Sequence, residues 1–179
     1  DAHVLAHGTD AVLAARDLEI HPRHEVERLV RLGNDATRGA GREAAQRFVM
    51  PLTFAAVSQA PVLDDQSAWQ ASGGWFQHIE AARTASLMVV APATANVLGE
   101  VANGRAPDTL PSVSLALPRS TPVLIAPAMN PAMWAHKATR RNLVQLVSDG
   151  ILTVGPNKGE MAESGEAGEG RMAEPLEIV

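Results

Sequence analysis

The chain has 179 residues, a formal net charge of −5 and no cysteine. That length suits one domain with a real core. The acidic balance removes the electrostatic case for nucleic acid or an anionic membrane. The missing cysteine excludes disulfides, thiolate zinc sites and a cysteine nucleophile. Aromatic residues are few, at three Trp, three Phe and no Tyr. Aliphatic side chains and alanine must therefore fill the core. No apolar run reaches membrane-spanning length and the first residues carry no signal-peptide pattern, so a cytoplasmic protein is the expectation.

Taken in order, His3–Ala6 reads as a short strand, 7–10 as a turn, and a helix is predicted from Ala11. Such a start is where α/β proteins bind phosphate, because a helix N-terminus offers unpaired N–H groups. A helix is predicted over His24–Leu32, and the glycine-rich stretch 33–42 reads as a loop. His3, His7, His21 and His24 have spacings that invite a metal. With no cysteine and no carboxylate pair nearby they read as solvated histidines, and no metal site is predicted. Glu43–Phe48 and Pro51–Ser58 read as short helices. Residues 59–74 read as a loop, with Asp64-Asp65 a solvated turn rather than a cation site. A further helix is predicted from Trp75 to Thr84.

From residue 86 the pattern alternates between strand and helix. Leu87–Ala91 is a buried strand, Pro92–Asn96 its exit turn, and Val97–Ala102 a helix ending at Gly104. Leu110–Leu117 is predicted helical. Val123–Ala126 is the next strand, followed by a loop that Pro127 and Pro131 hold out of regular structure. That loop keeps Met129, Met133 and Trp134 together, the mark of a segment folded onto the core. Asn130 is the polar residue among them, and it needs a hydrogen-bonding partner. Ala138–Ser148 is a helix with Leu143, Leu146 and Val147 on one side. Ile151–Val154 is the last predicted strand, and 155–171 reads as flexible. The alternation predicts an α/β, three-layer, Rossmann-like (flavodoxin-like) fold, a parallel sheet with helices on both faces. Ligands of such sheets lie beyond the carboxyl ends of the strands. The loops Pro92–Asn96 and Pro127–Trp134 both leave such ends, so they are expected to line one crevice.

Four ordered segments resemble the flavin-dependent cysteine decarboxylases. His78-Ile79 stands where that family has its active-site histidine. Pro92-Ala93-Thr94-Ala95-Asn96 resembles its P-A-S/T-A-N flavin loop. Pro127-Ala128-Met129-Asn130-Pro131-Ala132-Met133-Trp134 is similar to its P-x-M-N-x-x-M-W motif. Gly155-Pro156-Asn157 through Arg171-Met172-Ala173-Glu174-Pro175 resembles the substrate clamp of the branch acting in coenzyme A synthesis. With the family-like runs Glu43-Ala44-Ala45-Gln46-Arg47-Phe48-Val49 and Pro51-Leu52-Thr53-Phe54, the likeness covers residues 43–175.

The resemblance implies FMN as cofactor, contacted by Gly8, Thr9, Phe48, Pro92, Ala93, Thr94, Ala95, Asn96 and Met129. It implies a homotrimer or dodecamer with the flavin between subunits. His78 is the implied base, and Asn130 the implied ligand of the substrate carboxylate. Asn130, Met133, Ser164, Arg171 and Met172 are the implied substrate contacts. The implied substrate is a small cysteine-containing molecule, 4′-phosphopantothenoyl-cysteine, decarboxylated to 4′-phosphopantetheine. The alternatives are a peptidyl-cysteine decarboxylase giving an enethiol and a non-catalytic flavoprotein regulatory subunit. Residues 1–179 are expected to form one domain, with 155–175 as the clamp and a synthetase domain fused beyond it in a longer protein. Two departures stand out. The clamp segment Met161–Glu166 lacks the family's cysteine, and Asp10 occupies the phosphate turn where a small residue is expected.

Overall fold

The computed structural model describes residues 11–15, 38–41, 51–58, 62–72, 74–160 and 167–178. Its centre is a six-stranded sheet in the order β3-β2-β1-β6-β7-β8. The strands are β1 (Ala11–Ala15), β2 (Arg38–Gly41), β3 (Leu63–Asp64), β6 (Leu87–Ala93), β7 (Val123–Pro127) and β8 (Leu152–Thr153). Two short hairpins stand outside it, β4 (Ala71–Ser72) with β5 (Trp75–Phe76) and β9 (Asn157–Glu160) with β10 (Ala167–Arg171). The helices are α1 (Pro51–Ser58), α2 (Gln77–Thr84), α3 (Ala95–Ala102), α4 (Thr109–Ala116), α5 (Pro131–Ala135), α6 (Lys137–Ser148) and α7 (Pro175–Ile178).

The α/β class predicted from the alternation holds. β6, β7 and β8 run parallel, and so do β2 and β3. β1 is the exception, antiparallel to both β2 and β6. In β6 Met88, Val89 and Val90 are buried in succession, which requires cover on both faces of the strand. α2 packs on α4, and α3 packs on both α4 and α6. Met88, Val90, Val97, Leu98, Leu110, Ile125 and Leu146 form the core between strands and helices. Each such side chain contributes roughly 1.5–3 kcal/mol when fully buried. The core is aliphatic, as the composition requires.

Several elements differ from the sequence expectation. Ala11–Ala15 is a strand, not the start of a helix. A five-residue apolar run carries no periodicity to separate the two, and pairing on both sides decides it. Arg38–Gly41 is a strand inside the predicted glycine-rich loop. Pro127 closes β7 by bridging to Ala93, and Pro131 opens α5. Proline is tolerated in a first helical turn because its missing N–H has no intrahelical acceptor there. Val147 is exposed on α6, so the buried side of that helix is carried by Leu146 with Leu143. The stretch 155–171 is not shapeless: Asn157–Glu160 and Ala167–Arg171 pair antiparallel. The predicted elements at 3–6 and 24–32, the helix at 43–48, and Gly8, Thr9, Asp10, Phe48 and Ser164 lie outside the described residues.

Candidate functional site

The two loops singled out from the sequence leave adjacent parallel strands at their carboxyl ends. Ala93 and Pro127 are paired, and the Ala128 N–H donates to the Ala93 carbonyl at 3.0 Å. Pro92 and Ala93 still belong to β6, so the exit turn shrinks to Thr94. Thr94 is the N-cap of α3, with its Oγ1 facing the Val97 N–H at 3.5 Å and its carbonyl accepting from Leu98 at 3.0 Å. The Asn96 side-chain N–H donates to the buried Glu100 carboxylate at 2.9 Å. Thr94 thus caps the helix start, while Asn96 makes an i,i+4 side-chain bond along α3.

Asn130 caps α5 in the same way. Its Oδ1 accepts from the Ala132 N–H at 2.8 Å, which fixes the amide plane. The end of the side chain opposite that bond is the NH2 group, the donor a carboxylate ligand requires. Met129 and Trp134 on either side are buried, whereas Met133 is exposed.

The hairpin β9–β10 is seated directly on this loop. The Met129 N–H donates to the Gly170 carbonyl at 2.9 Å. A Cβ on Gly170 would stand 2.1 Å from the Met129 carbonyl oxygen, and one on Gly168 would meet Pro131 Cγ at 2.9 Å. Only hydrogen fits at Gly170. Trp134 Nε1 donates to Glu169 at 3.3 Å, and the Arg140 guanidinium lies 4.5 Å from the indole centre. Arg171 forms an ion pair with Glu174 and crosses the face of Gly159. Met172 follows, half-buried. Glu177 accepts from the Glu174 backbone at 2.7 Å and from Asn157 at 2.6 Å, tying α7 to β9. The Glu174 backbone N–H is the main cause of a lowered Glu177 carboxyl pKa, with Asn157 next. The structure therefore brings Ala93, Thr94, Met129 and Asn130 to one strand end, with Gly170 bonded there, while the Arg171 side chain turns to Glu174 and Gly159.

His78 has a separate set of neighbours. It is buried in the first turn of α2, with Nδ1 2.9 Å from the Ala68 carbonyl. A carbonyl only accepts, so Nδ1 carries the hydrogen and Nε2 of the neutral ring carries the lone pair. Phe76 stacks on the ring at 5.9 Å and 15°, and Trp69 is tilted against it at 4.8 Å. Ala68 and Trp69 belong to the 3-10 turn Ser67–Trp69. The sequence reading missed Asp64 and Asp65 as builders of this turn, and Gly168, Glu169 and Gly170 as the seat of the hairpin. The acidic pair was visible as a motif, but its partners were not. Among the described residues, no group of three or more His, Cys, Asp or Glu is placed to hold a metal ion.

A parallel sheet whose adjacent strand-end loops meet, with β10 bonded to one of them, defines an α/β protein of the class that takes ligands beyond its strand ends. The flavoprotein family model matches residues 25–179, and the chain belongs to that family. A curated relative, the coenzyme A biosynthesis bifunctional protein CoaBC of Bacillus subtilis (strain 168), is 47% identical over 76% of this chain and 33% of its own length. The chain thus spans about a third of the length of that relative. Among solved structures, a cysteine-to-serine mutant of PPC decarboxylase complexed with pantothenoylaminoethenethiol is 34% identical. It matches with a TM-score of 0.68 over 76% of this chain and 75% of that one. The FMN-binding protein AtHal3 is 33% identical, with a TM-score of 0.67 over 78% of this chain and 75% of that one.

Proposed function

We propose that the chain is an FMN-dependent carboxy-lyase that decarboxylates 4′-phosphopantothenoyl-cysteine to 4′-phosphopantetheine in coenzyme A synthesis. One observation carries this reading. The strand β10, which ends at Arg171 with Met172 next in the chain, is seated by a backbone bond beside Asn130, at the strand end that also presents Thr94. The names of the curated relative and of the two solved structures support it.

The residues present fit a flavin. Ala93 and Ala128 are small at the strand ends, Met129 offers a buried apolar wall, and Thr94 brings a hydroxyl to a helix start. Pro92, Ala93, Thr94, Ala95, Asn96 and Met129 would hold it, with Gly8, Thr9 and Phe48 completing the contacts. When bound, FMN supplies the two-electron oxidation of the thiol-bearing carbon and, once CO2 has left, its re-reduction. Asn130 holds the substrate carboxylate through its N–H donors. A neutral amide suits this role, because the charge it binds disappears as CO2 departs. His78 takes a proton at Nε2, the nitrogen that the Ala68 bond leaves as acceptor. Met133, Ser164, Arg171 and Met172 contact the rest of the substrate.

Residues 1–179 act in this reading as one flavoprotein domain, with 155–175 as clamp, working in the cytoplasm as a homotrimer or dodecamer. A synthetase domain joined to it in a longer protein would account for the one-third coverage of the curated relative. A second reading is favoured by the absence of cysteine from the chain. A related cysteine-to-serine mutant is complexed with an ethenethiol, so release of the enethiol is the alternative outcome. The purified protein, incubated with FMN and then freed of unbound flavin by desalting, is expected to retain flavin absorption bands; their absence would sink both readings. Incubation with 4′-phosphopantothenoyl-cysteine and mass analysis then separates them. Loss of CO2 alone gives phosphopantetheine, and loss of CO2 with two hydrogens gives the enethiol.

A further inference from the structure

We propose that Asp64 and Asp65 are positioning residues for His78, holding the turn whose Ala68 carbonyl keeps the imidazole in its Nδ1–H form. Asp64 Oδ1 accepts from the Gln66 N–H at 3.1 Å and the Ser67 N–H at 2.7 Å. Ser67 Oγ accepts from the Asp64 N–H at 2.9 Å in return. These bonds accompany the 3-10 turn, whose buried Ala68 presents its carbonyl to His78 of α2.

Asp65 does different work. Its Oδ1 accepts from both the Thr109 N–H at 3.0 Å and the Thr109 hydroxyl at 2.7 Å. Thr109 is the buried first residue of α4, and α2, which carries His78, packs on α4. The carbonyl acceptor and the imidazole donor are therefore both located against one helix, from two sides. Phe76 and Trp69 restrict the ring plane, so the remaining freedom is which nitrogen carries the hydrogen. The Ala68 carbonyl decides that. Free histidine in water prefers the Nε2–H form, so the turn works against the intrinsic preference. An Nε2–H ring could not accept a proton at the atom directed away from Ala68.

The tautomer part of the inference stands on geometry, while its catalytic consequence rests on the proposed function. The test is a long-range 1H–15N spectrum of the 15N-labelled protein at a pH where the rings are neutral, with His78 assigned by His78→Asn. The wild-type protein is expected to show a protonated Nδ1 and an unprotonated Nε2. Asp64→Ala and Asp65→Ala are expected to move His78 toward the Nε2–H pattern. Asp64→Asn, whose oxygen still accepts from both backbone N–H groups, is expected to retain the wild-type pattern. An Nε2–H ring in the wild type overturns the proposal, and so does an unchanged tautomer in both folded alanine variants. Should those variants not fold, Thr109→Val, which removes one donor to Asp65, carries the same decision. In turnover assays Asp65→Ala is expected to lower kcat about tenfold or more, with KM changed less. A wild-type protein that does not turn over would refute the functional reading and leave the tautomer result intact.

Discussion

The Asn130 side and the histidine side of this molecule are built by opposite means. Around Asn130 the hairpin meets the loop backbone to backbone, with glycines at 168 and 170 because nothing larger fits. Around His78 the scaffold is made of side chains: two aspartates, a serine, a threonine and two aromatic rings. Steric seats fail all at once when an atom is added. Polar scaffolds fail by degrees as single bonds are removed. The two halves of the proposed chemistry should therefore respond to substitution in different ways.

The largest expected effect is on catalysis. His78→Asn should reduce decarboxylation about 10²- to 10⁴-fold, measured as product by mass spectrometry, with flavin absorption unchanged. Unaltered turnover would remove the base assignment and with it the meaning of the histidine scaffold. Next comes the steric seat. Gly170→Ala places a methyl group against the Met129 carbonyl and should cost about 3 kcal/mol, seen as faster hydrogen exchange across 157–171. Wild-type protection in that variant would show that the seat is loose. Asp65→Ala should cost roughly 1–3 kcal/mol in denaturant unfolding, because it leaves a buried threonine without its acceptor. Trp134→Phe removes one hydrogen bond to the hairpin and should cost about 1 kcal/mol.

The smallest effect is a pH dependence. The Ser67 backbone N–H is the chief cause of a lowered Asp64 carboxyl pKa. Its folded value lies below its unfolded one, so the stability it contributes is present above the ordinary aspartate range. That contribution is lost as pH falls through the depressed value. Denaturation midpoints measured from about pH 5 to about pH 2 should fall less steeply in Asp64→Asn than in the wild type. Equal slopes would show that the carboxylate does not favour the turn in its charged form.

The meeting of the two strand-end loops was legible in the sequence because its signals are covalent. Prolines at 92, 127 and 131 and the run Val123–Ile125 bound each loop whatever the partners are. What they could not show was Pro131 as a helix start, since a proline reads as a breaker until its place in the turn is known. The helix predicted from Ala11 failed for a related reason: five apolar residues suit either element, and only the neighbouring strands choose. Asp64 and Asp65 looked like a solvated turn because their decisive partner, Thr109, lies 44 residues along the chain. A pair of acidic residues in sequence carries no sign of so distant a bond. As composition the glycines at 168 and 170 signal flexibility, whereas close approach is what requires them.

The bond from Met129 to Gly170 has a consequence for the order of events. Met129 is covalently joined to Asn130, so the hairpin cannot lift away without unpairing the residue beside the capping amide. Movement of the hairpin and loosening of the loop that carries Asn130 are then one event rather than two. A loop freed of that bond would regain its capping geometry only as the hairpin settles back.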